Sequence, residues 1–278
     1  MIRVLLIGLL VGAACGGWSA AAGPDSGGRR TAAKASVPVT WTTAPRPVVA
    51  SYPPRPADVP DARTLVWVVD GAGDLRGCSN ALSYANMLAG NPVELTVFGW
   101  SHGHGRLLMD QLDMGHARAQ GARLAAKVGD RRAKEPGRRV ILVAHSAGSA
   151  VALAATESMA PDAIDRLILL APSVSTGYDV CPALTAAREG VDVFCSKKDW
   201  VALGFVVRVV GTTDRFWSGS AAGRYGFQAR AAPAEAEGKL RQHFWTAEVA
   251  WTGHTGGHHG MHAPAFVQTY LLPLIEGR

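Results

Sequence analysis

Short apolar segments alternate with segments of helical composition along most of the chain. Several of these segments, such as Val140–Val143, are hydrophobic throughout rather than at every second position, which is typical of strands covered on both faces. The segments that predict strands are Thr64–Val69, Val93–Phe98, Val140–Val143, Ile164–Leu170, Val191–Cys195 and Leu240–Trp245. The segments that predict helices are Ser79–Leu88, Asp110–Val128, Ser149–Thr156, Pro182–Arg188 and Phe266–Ile275. This alternation predicts an α/β fold, a mainly parallel sheet with helices on both faces.

Two segments fit this pattern less simply. In the long helix Asp110–Val128, a helical period brings one set of residues near one face, which we expect to be the buried one. That set is Leu112, His116, Ala119 and Leu124. Leu203–Glu237 mixes an apolar run with a loop rich in Gly, Ser and Arg. It is a candidate to cover the face of the sheet that carries the chemistry.

The residues before the first strand divide into two segments. Residues 23–61 are rich in Pro, Ala, Gly and Ser and predict an arm or linker. Met1–Ala22 has the form of an export signal, with a basic start, an apolar run and an Ala20–Ala22 cleavage site. Cys15 offers a less favoured lipoprotein signal and a membrane tether. Residues 62–278 are left as one globular domain, which we expect to act outside the cytoplasm, as a periplasmic, extracellular or membrane-anchored protein.

Charge and cysteine content narrow the function further. The formal net charge is +6, from 28 Lys and Arg against 22 Asp and Glu, but the basic residues are scattered. Nucleic-acid binding would require a clustered basic face, so no nucleic-acid partner is expected. Cysteines outside the cytoplasm can be oxidised, and Cys181 with Cys195 is the candidate pair, whereas Cys78 has no evident partner.

The strand Val140–Val143 is followed by Ala144-His145-Ser146-Ala147-Gly148 and then by an Ala-rich helix. A serine between small residues in a strand–turn–helix segment is the sequence form of a nucleophile elbow. Small residues two positions away let the strand and helix approach each other closely. The bland alternative is a turn whose serine merely caps the helix.

A serine nucleophile requires a base and an acid that orients the base, and such groups lie at the carboxyl ends of parallel strands. Asp199 lies in the loop just after Val191–Cys195 and is the preferred acid. Asp192 lies inside that strand and is a poorer candidate, with Asp179 as a fallback. A turn aspartate beside two lysines is the alternative interpretation of Asp199.

Four histidines follow the last predicted strand, at His254, His258, His259 and His262. Their Gly-rich loop precedes the closing helix and could carry a base back over Ser146. Metal binding is the alternative, but no carboxylate or cysteine completes a familiar ligand spacing and no H-E-x-x-H motif occurs. We therefore expect neither a metal nor an organic cofactor.

These residues resemble an α/β-hydrolase-fold serine hydrolase of the bacterial, exported kind, over about 64–278. The resemblance rests on Asp70-Gly71-Ala72-Gly73, on the Ser146 pentapeptide, on Asp199 and on the Gly257-His258-His259-Gly260 loop, in the order Ser, Asp, His. It implies a triad of Ser146, Asp199 and His258. The Gly-Gly-His-x-Gly arrangement favours His258 as the base, with His259 the runner-up and His254 third.

An oxyanion hole follows from the same resemblance, because the charge that develops on a carbonyl oxygen needs fixed N–H donors. Ala147 would supply one backbone N–H, and Gly71 or Ala72 the other. Possible pocket residues at neighbouring strand ends are Trp100, His102, His104 and Trp200.

The resulting hypothesis is a serine hydrolase that cleaves a small-molecule or lipid ester through an acyl-enzyme. Cleavage of an amide or thioester on the same fold is an alternative. A non-catalytic envelope protein that uses the fold for binding is another, but such a protein has no need of the three triad residue types.

Overall fold

The computed structural model describes residues 63–214, 220–228 and 238–277. The predicted export signal, the lipidation site at Cys15 and the arm at residues 23–61 lie outside these ranges. Among the described residues, no helix is both long enough and apolar enough to cross a membrane.

Six parallel strands form one sheet in the order β2-β1-β3-β4-β5-β6. Their bounds are Thr64–Val69 (β1), Val93–Val97 (β2), Val140–His145 (β3), Arg166–Leu170 (β4), Val191–Cys195 (β5) and Leu240–Phe244 (β6). The predicted α/β sheet is confirmed. β3 runs further than predicted, because Ala144 and His145 pair with Leu169 and Leu170 of β4.

Helices cover both faces of this sheet. The first five are Gly77–Leu88 (α1), Leu107–Leu112 (α2), Met114–Lys134 (α3), Gly148–Thr156 (α4) and Cys181–Ala186 (α5). After β5 come a π-helical turn Val201–Val206, then Val207–Val210 (α6) and Ala222–Tyr225 (α7). After β6 come the 3₁₀ turns Ala247–Thr252 and Gly260–His262, Pro264–Phe266 (α8), a π-helical turn Val267–Leu271 and Leu272–Glu276 (α9).

Two hydrophobic clusters explain why the strands are apolar on both sides. Alternate residues of β1 and β3, such as Leu65 and Leu142, pack with α3, α4 and α5. The intervening residues, such as Val66 and Ile141, pack with α1 and the C-terminal helical segment. Because side chains alternate between the faces of a strand, central strands such as β1 and β3 need a continuous hydrophobic run.

The prediction of one helix over Asp110–Val128 is wrong in two respects. The helix is interrupted at Asp113, whose side chain accepts the His116 N–H at 2.8 Å and caps α3. The predicted buried face is also wrong except for Leu124. The residues of α3 that are buried are Ala117, Gly121, Leu124 and Val128.

Close helix packing explains this difference. A Cβ atom on Gly121 would lie 2.8 Å from the Cβ of Ala154 in α4. The two helices therefore approach each other through small residues, and large apolar side chains do not mark the interface.

The expected pairing of Cys181 with Cys195 is wrong, because Cys78, Cys181 and Cys195 are all free thiols. Cys195 is buried at the end of β5, where its Sγ lies 3.3 Å from the Ala222 carbonyl oxygen. Cys181 begins α5 and is only partly buried.

A buried ionic network joins the strands β4, β5 and β6 at one side of the sheet. Asp192 of β5 is fully buried and accepts hydrogen bonds from Arg166 of β4 and from Arg241 and His243 of β6. Arg166 also pairs with Glu189 at 3.0 Å. Asp192 thus points into packing, as the sequence predicts, and two of its three partners are arginines.

Candidate active site

The turn between β3 and α4 holds Ser146 in a backbone conformation that few residues adopt. Ser146 has φ +52°, the left-handed region, which is uncommon for a residue other than glycine. Its N–H donates to the Leu170 carbonyl oxygen at 2.9 Å, which fixes the turn to the end of β4. The strain turns the half-buried serine side chain away from the strand and helix that flank it.

Small residues around Ser146 allow two chain segments to touch. A Cβ atom on Gly148 would lie 2.7 Å from the Val69 carbonyl oxygen and still closer to that of Asp70. A Cβ atom on Gly71 would lie 3.2 Å from the Cβ of Ser146. The turn after β1 therefore packs directly against the turn that carries Ser146.

Gly148→Ala is expected to lower the free energy of unfolding by about 1–3 kcal/mol, because the added methyl group meets backbone atoms that cannot rotate away. Gly129→Ala is the matched control, since a Cβ atom there has no neighbour within 4 Å. It should instead stabilise α3 by about 0.5–1 kcal/mol. Urea unfolding of both variants measures the two effects, and equal changes would contradict the close approach at Gly148.

His258 lies between Ser146 and Asp199. Its Nε2 is 2.9 Å from the Ser146 Oγ, and its Nδ1 is 2.5 Å from the Asp199 Oδ2. Asp199 is buried, and its Oδ1 accepts the N–H of Leu203 at 3.3 Å. A carboxylate at Nδ1 holds the proton on that nitrogen and leaves Nε2 free to accept one from the serine.

The other two candidate bases have different surroundings. His259 is exposed, and its ring lies 5.2 Å from that of His258. His254 is buried, with its Nδ1 accepting the Gly256 N–H at 3.3 Å. Burial lowers the pKa of His254 to about 4. Of the three candidates, His258 has the geometry of a base for Ser146.

The loop that carries His258 is anchored beside Asp199. The Ser196 hydroxyl donates to the Gly256 carbonyl oxygen at 2.5 Å. Lys198 lies 4.0 Å from the centre of the Trp245 ring, and its side chain also packs on Gly256. The residues between β5 and Asp199 therefore position Asp199 and also anchor the loop that carries His258.

The backbone around Ser146 offers free donors. Among the described residues, no acceptor is present for the N–H groups of Ala147, Gly71 and Ala72. The turn after β1 is itself held by the Asp70 side chain, which accepts the N–H groups of Cys78 and Ser79 at 2.9 and 3.0 Å. Asp70 thereby caps α1 although it lies outside the helix.

Asp110 is a supporting residue that the sequence did not single out. It is fully buried and accepts hydrogen bonds from the Gly73 N–H at 2.6 Å, the Ser101 hydroxyl at 2.5 Å and the His102 N–H at 2.8 Å. It therefore ties the turn after β1 to the loop after β2. The one feature of the sequence that could have indicated this role is the position of Asp110 in a helix that begins directly after a Gly-rich loop.

The four possible pocket residues occupy different environments. Trp100 is 4% exposed and belongs to the core, where its indole N–H donates to the Asp70 carbonyl oxygen at 2.8 Å. It supports the turn after β1. His102 binds Asp110 through its Nδ1. His104 is exposed, and Trp200, next to Asp199, is 62% exposed.

The sequence of the first five strands matches a known protein family. The model of the family described as "Serine aminopeptidase, S33" matches residues 60–200. The chain belongs to this family. The match covers five strands of the sheet, Ser146 and Asp199, and ends before the loop of His258.

The chain is thus an α/β hydrolase, as the sequence predicts, and a hydrolytic enzyme. No curated protein sequence matches this S33 family member. Among solved structures, a Xanthomonas campestris protein of the alpha/beta hydrolase superfamily is 17% identical, with 76% of this chain and 99% of that chain covered and a TM-score of 0.39. A cutinase-like protein from a Cryptococcus species is 12% identical, with coverage of 77% and 95% and a TM-score of 0.42. The catalytic core of the Trichoderma reesei acetyl xylan esterase is 10% identical, with coverage of 75% and 99% and a TM-score of 0.39.

Proposed function

We propose that this protein is a serine hydrolase that cleaves a carboxylic ester through an acyl-enzyme, with Ser146, His258 and Asp199 as its triad. The observation that carries the proposal is the chain of two hydrogen bonds from the Ser146 Oγ through His258 to Asp199, at 2.9 and 2.5 Å. A serine hydroxyl is a poor nucleophile alone, and this arrangement supplies the missing base and its orienting carboxylate.

In the first half of the reaction, His258 Nε2 takes the Ser146 proton while Oγ bonds to the substrate carbonyl carbon. The tetrahedral intermediate then collapses, and the alkoxide leaving group takes that proton from His258. In the second half, His258 takes a proton from water, and the resulting hydroxide attacks the acyl carbon. Ser146 leaves with the proton that His258 returns, and the carboxylic acid is released.

Charge on the substrate carbonyl oxygen would be stabilised by the Ala147 N–H together with that of Gly71 or Ala72. The contact between Gly71 and Ser146 supports this assignment, because it brings the turn after β1 beside the nucleophile. Donors fixed in the backbone need little reorganisation as the charge develops, which is why such sites lower the barrier strongly.

Amide cleavage is a second candidate, because the family description names an aminopeptidase. The same triad serves both reactions, and the two differ in the group that leaves. Comparison of kcat/KM for an ester and an anilide of one acyl group separates them. The same comparison, with a thiol or a lipid alcohol as the leaving group, tests thioester and lipid ester substrates.

A fluorophosphonate probe is expected to label the folded protein with one probe per chain, because it phosphonylates an activated serine. Ser146→Ala should abolish the label. Heat-unfolded wild-type protein is the matched control and should also remain unlabelled, since activation requires the folded triad. Intact-mass measurement gives the stoichiometry. A folded wild-type protein that stays unlabelled at several pH values would favour the non-catalytic binding role instead.

The site of action belongs to the same proposal. We infer from the sequence of residues 1–22 that the protein is exported, with tethering through Cys15 as the alternative to cleavage after Ala22. The substrate would then be a small-molecule or lipid ester met outside the cytoplasm.

A further inference from the structure

Three histidines converge on one side of the proposed triad. One ring nitrogen from each of His145, His259 and His262 lies within 4.8 Å of the other two. The ring centres of His145 and His262 are 4.5 Å apart, and those of His259 and His262 are 5.3 Å apart. The proposed reaction uses none of these three rings.

The fold brings them together from two distant segments. His145 is the last residue of β3 and is buried immediately before Ser146. His259 precedes the 3₁₀ turn Gly260–His262 and His262 ends it. The His262 N–H donates to the His259 carbonyl oxygen at 3.0 Å. With three residues per turn, a 3₁₀ helix places residues i and i+3 above each other. The two loop histidines therefore share a face, and that face is turned toward His145.

The ring nitrogens have few hydrogen bonds. The Nε2 of His262 is buried and has no hydrogen-bond partner among the described residues. The Nε2 of His145 has a long contact, 3.3 Å, with the His258 carbonyl oxygen. A buried polar atom without a partner is unfavourable, and such atoms in native proteins call for an unseen water or ion.

We propose that His145, His259 and His262 form a binding site for a divalent transition-metal ion, with Zn²⁺ the best fit. Three histidines and one water make a familiar tetrahedral zinc site. His259 is exposed, so the fourth position would face solvent. Zinc–nitrogen bonds of about 2.0–2.1 Å require nitrogens about 3.4 Å apart. The three nitrogens now lie within 4.8 Å of one another, so binding would draw the rings closer together.

The ion would connect the two segments that meet in the proposed triad, because His145 precedes Ser146 and His259 follows His258. It would therefore hold the loop of His258 against the turn of Ser146. This consequence rests on the proposed function, whereas the binding itself does not. The sequence predicts no metal site because its ligands are divided between a strand end and a distant loop.

Titration of chelator-treated full-length protein with ZnCl₂ is expected to show one saturable site per chain. At about 100 times the dissociation constant, Zn²⁺ should raise Tm by roughly 5–10 °C. Co²⁺ should give the intense visible absorption of a tetrahedral site. His262→Ala should weaken binding by about 100-fold or more, since loss of even an outer-shell partner costs up to that factor.

Three further variants make the test decisive. His259→Ala changes an exposed side chain, keeps the fold and should also lose the site. His104→Ala removes an exposed imidazole from another loop and should bind Zn²⁺ like the wild type. Ser146→Ala should bind normally even though it has no hydrolytic activity, so failure of the metal site and failure of the proposed function are distinguishable. Absence of saturable binding, or unchanged binding in His259→Ala, would overturn the site.

Discussion

Replacing His258 with alanine is expected to lower kcat for ester hydrolysis by about 10⁶-fold, the cost that loss of the base or nucleophile carries in a comparable triad. Among the residues that the structure describes, His258 is the one whose nitrogen is placed to accept the proton of the Ser146 Oγ, at 2.9 Å. Without it, Ser146 remains protonated and the leaving group has no acid. Release of p-nitrophenol from a p-nitrophenyl ester measures kcat continuously in both proteins.

Three comparisons define this effect. Asp199→Asn keeps the shape of the acid but stabilises the wrong tautomer of His258, so kcat should fall by about 10⁴-fold. A double variant of Ser146 and His258 should be no slower than either single variant, because residues of a triad act as a unit. His259→Ala should lose far less than His258→Ala. An equal or larger loss in His259→Ala would contradict the assignment of the base.

The fold could be predicted from the sequence because each central strand has the same physical requirement. A strand covered by helices on both faces must be apolar throughout, and the central strands β1 and β3 meet that condition. The edge strands β2 and β6 carry polar residues. The helices were harder. The buried face of α3 is made of small residues such as Ala117 and Gly121, which a search for large apolar side chains overlooks. The interruption at Asp113 depends on a single cap, which resembles an ordinary polar position.

Only some of the site residues could be predicted from the sequence, again because local sequence does not record distant contacts. Ser146 and Asp199 lie at strand ends, so local sequence indicates where they belong. His258 and His259 are neighbours in a Gly-rich loop without periodicity, and the orientation of that loop depends on a distant contact from Ser196 to Gly256. Only the resemblance of the Gly-Gly-His-x-Gly arrangement to bacterial members of the fold favours His258 over His259.

Support by distant residues is likewise invisible in one sequence. Asp110 holds the turn after β1 through the Gly73 N–H, from a separate helix. His145 occupies the position directly before the serine, where the elbow pattern specifies no residue type. Its neighbours His259 and His262 become apparent only when β3 and the C-terminal loop are brought together.

Asp192→Asn is expected to lower the free energy of unfolding by about 3–5 kcal/mol, because it leaves buried cationic groups without their carboxylate. Asp192 is fully buried, accepts two hydrogen bonds from Arg241 and one from Arg166, and lies 2.8 Å from the His243 Nε2. Arg241 is partly exposed and Arg166 keeps Glu189, so the lower end of the range is expected. Urea unfolding at pH 7 measures the loss.

The pH dependence of this loss identifies its origin. Burial by itself would raise the pKa of Asp192, but hydrogen bonds from His243 and Arg241 and the charges of Arg241 and Arg166 outweigh it and hold the pKa well below its usual range. A lowered pKa stabilises the fold above the unfolded value of about 3.9, and that stabilisation is lost as the pH falls toward the folded value. The difference between wild type and Asp192→Asn should therefore be full at pH 7 and shrink below about pH 4.

Asp179→Asn is the matched control for Asp192→Asn, because it makes the same chemical change at an exposed residue whose side chain accepts the Cys181 N–H at 2.9 Å. An asparagine side-chain oxygen can accept the same Cys181 N–H, so this variant should stay within about 0.5 kcal/mol of the wild type. A loss of similar size in both variants would show that the buried network contributes no more than a surface cap. A loss confined to Asp192 would show that the strands β4, β5 and β6 depend on one carboxylate, whose removal unpairs cations on both sides.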